Sequence, residues 1–399
     1  MSCKEGLLKG ISPNIVLLGI VSFLNDVSSE MVMPILPMFI TTLGGTGLIV
    51  GLVAGFRDSI SSILKVFSGY WSDKAGKRKI FVTYGYLASA AFKMLLSFSK
   101  VWQHILIFTG FERVGKGLRT APRDAIIADS MPGQRGRGFG IHRAFDTAGA
   151  ILGSVVVFIL FWSFRFNFKT IIFIAAFLAF FSLIPLYFVK EQNRNPQDIT
   201  LQLGLKNLPR SLRLFMLICG TFALANFSYM FFILKARQIF TGRLSVGAPI
   251  GLYILFNIFY ALFAVPFGNL SDKIGRRKVL ILGYSLFSML SLGFAFFKSL
   301  IAFIILFALY GLVYAMIEGN QRAYVADLSS GSLRATALGA FHTIIGLTTL
   351  PASLIAGFLW QVIAPASAFI YGAVVAVIPV GLFFIFRNDF EEKRVFSRT

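Results

Sequence analysis

Apolar residues in this chain come in blocks of about 20, the length at which an α-helix crosses a hydrocarbon core about 30 Å thick. A chain built this way must satisfy its backbone hydrogen bonds within each block, because the bilayer core holds no water to do so. The composition agrees. Of 399 residues 56% are hydrophobic, 45 are Phe and only 14% are charged, with a mean hydropathy of +0.77. A soluble domain carries about 25% charged and about 45 to 50% apolar residues. A soluble, secreted or disordered protein is excluded, and the chain reads as a polytopic membrane protein.

The net charge of +21 raises nucleic acid as a partner, but nucleic-acid binders cluster their basic residues on a soluble face. Here the 38 Lys and Arg residues sit mostly in short loops between apolar blocks, so no nucleic acid is expected. Cys3 lies in the polar N-terminus and Cys219 inside an apolar block. Two cysteines so placed build neither a disulfide framework nor a metal site. Lys4 and Lys9 precede the first apolar run, which lacks a small-residue cleavage site and soon carries charges. It reads as a retained first span, not a signal peptide.

Cutting at the polar, turn-rich loops gives spans at 13–41, 47–70, 79–99, 103–130, 138–163, 168–189, 213–236, 246–268, 278–297, 299–328, 335–362 and 365–387. Twelve is even, so both termini share one face. That face, through Lys4, Lys9, Lys74, Lys77, Arg78, Lys79, Arg135, Arg137 and the tail, collects about 22 of the 38 Lys and Arg residues, against about 7 on the other face and about 9 within spans. The positive-inside rule puts both termini in the cytoplasm of an inner-membrane protein.

The chain also repeats. Gly69-Tyr-Trp-Ser-Asp73-Lys-Ala-Gly76-Lys-Arg78-Lys79 aligns with Gly268-Asn-Leu-Ser-Asp272-Lys-Ile-Gly275-Arg-Arg277-Lys278. Ala-Ile-Ile-Ala-Asp129 falls on Ala-Tyr-Val-Ala-Asp327, and Gly140 on Gly339. The expected fold is an all-α membrane protein of twelve transmembrane helices in two pseudo-symmetric six-helix bundles. Residues 1–189 form the N-terminal bundle, 190–212 a cytoplasmic linker and 213–399 the C-terminal bundle. A parallel repeat of this kind places a substrate site near the midplane, between the halves.

The repeated segment resembles the signature loop of the major facilitator superfamily, Gly-x-x-x-Asp-x-x-Gly-x-Arg-Lys, which that family carries between spans two and three and again between spans eight and nine. The resemblance covers the whole chain. It implies a secondary transporter, a symporter or antiporter, that moves a small-molecule solute by alternating access as a monomer without a cofactor. It also implies that Asp73, Lys77, Arg78, Asp129 and Arg137 latch the halves on the cytoplasmic side, with Asp272, Arg276, Arg277 and Asp327 as the second latch. In physical terms Gly69 allows close helix packing, Gly76 a turn with positive φ, and Asp73 acceptance from helix N-terminal amides. The basic residues also serve as topology determinants.

Ionisable residues within a span are costly and normally face a cavity or one another. Span one has Asn25, Asp26 and Glu30; span two has Arg57, Asp58 and Lys65. Span four has Glu112, Arg113, Lys116, Arg119, Arg123 and Asp124, span five His142, Arg143 and Asp146, and span ten Glu318 and Arg322. Span three contributes only Lys93. In the superfamily fold spans one, four, seven and ten line the path and three, six, nine and twelve face lipid. Glu112, Lys116, Arg119 and Arg123 fall within an arc of about 60°, one charged stripe. Either Glu112 and Lys116 neutralise each other at i, i+4 or the stripe faces a cavity. Arg113-Val-Gly-Lys-Gly117 resembles the fourth-span motif Arg-x-x-x-Gly, whose Arg the family implicates in proton transfer; Lys116 stands where many members have Gln.

Asp26 and Glu30, like charges at i, i+4, can exchange a proton near neutral pH, with Glu112 and Asp146 as further candidates for proton coupling. Substrate-binding candidates are Asn25, Arg57, Asp58, Arg113, Lys116, Arg119, Arg123, Glu318 and Arg322. The C-terminal half is drier, with Asn226, Asn257, Asn320, Gln321 and His342 among aromatics such as Phe227, Tyr229, Tyr253, Phe256, Tyr310 and Tyr314. The surplus of basic groups in the pathway, and Arg in particular, favours a small organic anion or zwitterion. Proton-antiport efflux of drugs or metabolites is the rival, although the stretch Asp146-Thr-Ala-Gly149-Ala-Ile-Leu-Gly153 lacks the Gly-Pro pair of the efflux branch. No Gly-x-Ser-x-Gly, His-Glu-x-x-His, phosphate loop or dinucleotide fingerprint supports an enzyme, and a sensor would carry a soluble output domain.

Overall fold

The computed structural model describes residues 11–131, 134–191, 208–329 and 334–391. Cys3, Lys4, Lys9 and residues 192–207 of the expected linker lie outside them. The elements are α1 (Pro13–Val32), α2 (Leu36–Thr42), α3 (Gly47–Ala75), α4 (Arg78–Ser97), α5 (Trp102–Ser130), α6 (Arg135–Trp162), α7 (Phe168–Phe181), α8 (Leu183–Phe188), α9 (Arg210–Ala225), α10 (Tyr229–Arg237), α11 (Leu244–Ile274), α12 (Arg276–Phe296), α13 (Leu300–Leu328), α14 (Arg334–Val362), α15 (Pro365–Ile385) and α16 (Arg387–Glu391). α1–α2, α7–α8 and α9–α10 are each one broken span, so the described elements supply the twelve spans read from the sequence. Eleven of these are long and apolar enough to cross a membrane. The exception is α5, which is long enough but carries the charged stripe.

The breaks have different causes. Pro34 separates α1 from α2, and Pro185 follows the Ser182 break between α7 and α8, as a residue without an N–H would. The break in span seven has neither Pro nor Gly. The Asn226 N–H closes α9 on the Phe222 carbonyl at 2.9 Å, and the Ser228 hydroxyl then accepts from the Met230 N–H at 3.3 Å as a new N-cap. Residues 226–228 are therefore unwound backbone within a membrane span.

The chain forms two compact units, 1–35 with 63–200, and 36–62 with 201–399. In the first unit α6 packs on α1 through Gly149 and Gly153, where an added Cβ would collide with the Phe23 and Val27 carbonyls. α4 meets α5 the same way, since a Cβ on Gly115 would lie 2.5 Å from the Gly85 carbonyl. In the second unit the core is aromatic. Phe222 stacks on Tyr284 at 4.1 Å, and Phe232 lies at 4.3 Å from Tyr310 and 4.9 Å from Phe294. The first half of α3 belongs to this unit: Gly47, Gly51 and Gly55 press on Trp360, the Ser353 carbonyl and Leu350 of α14. Such small-residue seams let membrane helices approach backbone to backbone.

Candidate functional site

The repeated loop turns as the sequence predicts, on glycines of positive φ: +65° at Gly76 and +97° at Gly275. Gly69 is less demanding than expected, because a Cβ there would only touch Ala121 at 3.4 Å, and at Gly268 it would meet nothing. In the first copy Arg78 bridges Asp73 at 2.5 Å and Asp129 at 2.6 Å. Lys77 is exposed and makes no ion pair among the described residues, while Arg137 donates to Gln134 at 3.1 Å. In the second copy Arg276, which occupies the place of Lys77, takes both Asp272 (2.9 Å) and Asp327. Arg277 instead donates to the Phe383 carbonyl at 2.6 Å.

One role moves. Asp73 holds the Arg78 guanidinium, and the N-terminal amides of α4 are taken by Glu191, whose carboxylate accepts from the Arg78 and Lys79 N–H groups. Asn14 fixes this segment by exchanging two hydrogen bonds with the Lys190 backbone, at 2.7 and 2.9 Å. A carboxylate at a helix N-terminus is favourable whichever part of the chain supplies it. Glu191 was hidden in the sequence because nothing local to it marks contact with a loop more than a hundred residues away.

The charges of α5 mostly turn into the first unit. Glu112, Arg113 and Arg119 are 6%, 5% and 3% exposed. Arg119 donates to Ser89 at 2.6 Å and lies 4.2 Å from the Tyr86 ring. Arg123 binds Asp124 at 2.9 Å and donates to Ser22 at 2.9 Å. Ser22 also meets His142 Nε2 at 2.8 Å, and His142 Nδ1 lies 3.5 Å from Asp146. Glu112 does not neutralise Lys116: its ion pair is with its neighbour Arg113 at 3.2 Å. Lys116 is half-buried and has no ion-pair partner among the described residues. Its electrostatic neighbours are Arg113, Lys65 and Arg119, with Asp26 as the opposing charge.

Asp26 and Glu30 lie where α6 is thinnest; a Cβ on Gly149 would be 3.3 Å from Asp26 Cβ and one on Gly153 2.9 Å from Glu30 Cβ. Asn25 is buried and donates to Asp26 at 3.4 Å, and Asp26 is within electrostatic range of Asp146 on α6. Lys93 does not face lipid as a third-span residue would. It is 2% exposed and donates to Ser28 at 2.8 Å and Ser29 at 3.2 Å, a position the one-residue signal in its span could not reveal.

Arg57, 4% exposed, and half-buried Asp58 belong to the second unit, where Asp58 and Glu318 both act electrostatically on Tyr314. Glu318 pairs with Arg322 at 2.5 Å and accepts from the Tyr260 hydroxyl at 2.5 Å. Beside it a cavity of about 160 Å³ is lined by residues of α9, α13 and α14 and by Asn226 at the span-seven break.

Twelve membrane-length helices with a duplicated loop and with charge largely turned inward define a polytopic carrier. The Major Facilitator Superfamily model matches residues 18–259 and 215–398, and the chain belongs to that family. It is 57% identical to an uncharacterized MFS-type transporter, MJ1317, of Methanocaldococcus jannaschii, over 94% of this chain and 95% of that one. It is 28% identical to the multidrug resistance protein MdtH of Shigella dysenteriae over 33% of this chain and 32% of that one. The crystal structure of the nucleoside transporter NupG superposes with a TM-score of 0.75 at 16% identity, covering 95% of this chain and 99% of that one. The fold is shared.

Proposed function

We propose that this MFS transporter moves a small organic anion or zwitterion by alternating access, coupled to protons, as a monomer in the cytoplasmic membrane with both termini inside. The observation that carries the substrate reading is Lys116, a half-buried ammonium group in a membrane helix with cations around it and no ion-pair partner among the described residues. A charge so placed is stabilised by an anionic group of the solute. Arg119 and Arg123 already have partners in the protein; Arg119 adds to the positive field at Lys116, and Arg113 does the same from its pair with Glu112.

Asp26, Glu30, Glu112 and Asp146 are the proton-coupling candidates. Three of them lie along the α1–α6 seam, where Gly149 and Gly153 bring α6 close to Asp26 and Glu30. The bundles 1–189 and 213–399, joined by 190–212, are the moving halves, with the Arg78 and Arg276 clusters as cytoplasmic latches. The glycine seam between α3 and α14 would have to part when the opposite face opens. Drug efflux by proton antiport is the second reading, favoured by the partial similarity to MdtH.

The test is the pH change outside proteoliposomes on adding candidate solutes. Symport raises external pH and antiport lowers it. We expect a solute-dependent rise that Asp26→Asn or Glu30→Gln abolishes. Uptake that moves no protons in the wild type would overturn the coupling, and uptake unchanged in both variants would remove it from α1.

A further inference from the structure

The two copies of the repeated loop differ in the space beside them. In the first unit the space between the loop and the end of the sixth span is a cavity of only about 10 Å³, lined by Arg78, Asp129, Lys190 and Glu191 among others, and the Glu191 carboxylate lies on the α4 amides there. In the second unit the corresponding space is a cavity of about 900 Å³, lined by residues of α11, α12, α13, α15 and α16. Asp389, near the end of the last span, pairs with Arg210 at 3.1 Å instead. Four cations line the larger cavity, Arg276, Arg277, Lys278 and Arg387, against the two carboxylates Asp272 and Asp327. Arg276 holds both carboxylates. Arg277 donates to the Phe383 carbonyl, and neither it nor the exposed Lys278 has an ion pair among the described residues. The lining therefore carries more positive than negative charge. Its remaining walls are apolar, Phe384 among them. Phe384 and Ile385 on α15 are exposed, as are Leu282 and Met289 further along α12. On a membrane span such side chains are a surface for acyl chains.

The geometry points to a binding site for an anionic membrane lipid, with its phosphate against Arg277 and Lys278 and its acyl chains along the apolar faces of α12 and α15. A basic pocket between helices at a membrane surface suits such a headgroup. Guanidinium is matched to phosphate oxygens, and Lys278 adds a point charge beside it. A cavity of about 900 Å³ lies within the roughly 300 to 1,000 Å³ of ligand pockets, which leaves room for a headgroup and its glycerol. A free phosphate would use the cations alone; the exposed apolar residues beside them favour the lipid. The site belongs to the second unit by itself and is independent of the solute that the carrier moves.

Lipid binding to the full chain in neutral detergent is titrated by native mass spectrometry, with phosphatidylglycerol and with phosphatidylcholine of the same acyl chains. We expect phosphatidylglycerol to bind about tenfold more tightly, and Arg277→Gln and Lys278→Gln each to weaken it about fivefold. Lys278 is exposed, so its variant keeps the test open if Arg277→Gln, which loses the bond to Phe383, does not fold. Lys79→Gln removes the matching charge of the first copy, where Lys79 donates to the Tyr187 carbonyl at 2.8 Å, and should leave binding unchanged. Equal binding of the two lipids, undiminished binding by Lys278→Gln, or an equal loss in Lys79→Gln overturns the inference. Glycerol 1-phosphate that displaces the lipid at matching concentration would also overturn it, by assigning the cations to a free phosphate.

Discussion

The repeat-related helices α5 and α13 solve the same problem with different residues. In the register that lays Asp129 on Asp327, the inner stripe Glu112, Lys116, Arg119 and Arg123 is replaced by Tyr310, Tyr314, Ile317 and Gln321. The charges of α13, Glu318 and Arg322, fall on Thr120 and Asp124, one position further round the helix. Their side chains remain 43% and 41% exposed, whereas those of Glu112 and Arg113 are 8% and 6%. A helix whose charges turn into its own bundle needs partners there, and α4 supplies Ser89 and Tyr86. A helix whose inner face is aromatic needs only rings to pack on, and the second unit is full of them. The difference teaches that fold symmetry constrains where a helix lies, while the chemistry of its face is free to diverge.

The severest way to break the comparison is to move the charge. Tyr310→Lys, at the place of Glu112, puts an ammonium group among the rings of Phe232, Phe256 and Tyr314, where only tyrosines act on it electrostatically, and should destabilise the protein by about 3 kcal/mol or more. A Tm within one degree of wild type would show that the second unit tolerates charge as the first does. Removing a charge from the first unit comes next. Arg119→Ala loses the Ser89 bond and the contact with Tyr86, for a loss of about 2 to 4 kcal/mol, while Ile317→Val at the matching position should lose only about 1 kcal/mol. Equal losses in denaturation would say that Arg119 contributes packing alone.

The ion pairs of the repeated loop give the smallest contrast. The Arg78 pairs are largely buried, with side-chain exposures of 10%, 36% and 20% for Arg78, Asp73 and Asp129, against 21%, 60% and 53% for Arg276, Asp272 and Asp327. Arg78→Ala should therefore lower stability by about 2 kcal/mol and Arg276→Ala by less than about 1 kcal/mol. Chemical denaturation of both variants checks the order, and a larger loss for Arg276→Ala would reverse it.

Much of this was readable from residue order alone. Span length, the doubled loop and the positive-φ glycines depend on local chemistry, which the sequence displays. The stripe on α5 was visible because helical periodicity places residues on faces. The partners were not. Whether Glu112 pairs with Lys116 or Arg113 depends on side-chain direction and on what α1 and α4 offer, and Glu191 reaches α4 only through the packing of the sixth span. The break at Asn226 escaped notice because no Pro or Gly marks it; its cause is the Ser228 cap and the rings around Phe227, which are tertiary facts.

Lys116 carries the proposed recognition of an anionic solute. The decisive measurement is the affinity of the purified protein for a transported carboxylate and for its uncharged amide, in wild type, Lys116→Arg and Lys116→Gln. Wild type and the Arg variant should prefer the acid by about 100-fold, as a desolvated ion pair implies, and the Gln variant should lose the preference. A Gln variant that still prefers the acid as strongly as wild type would contradict it.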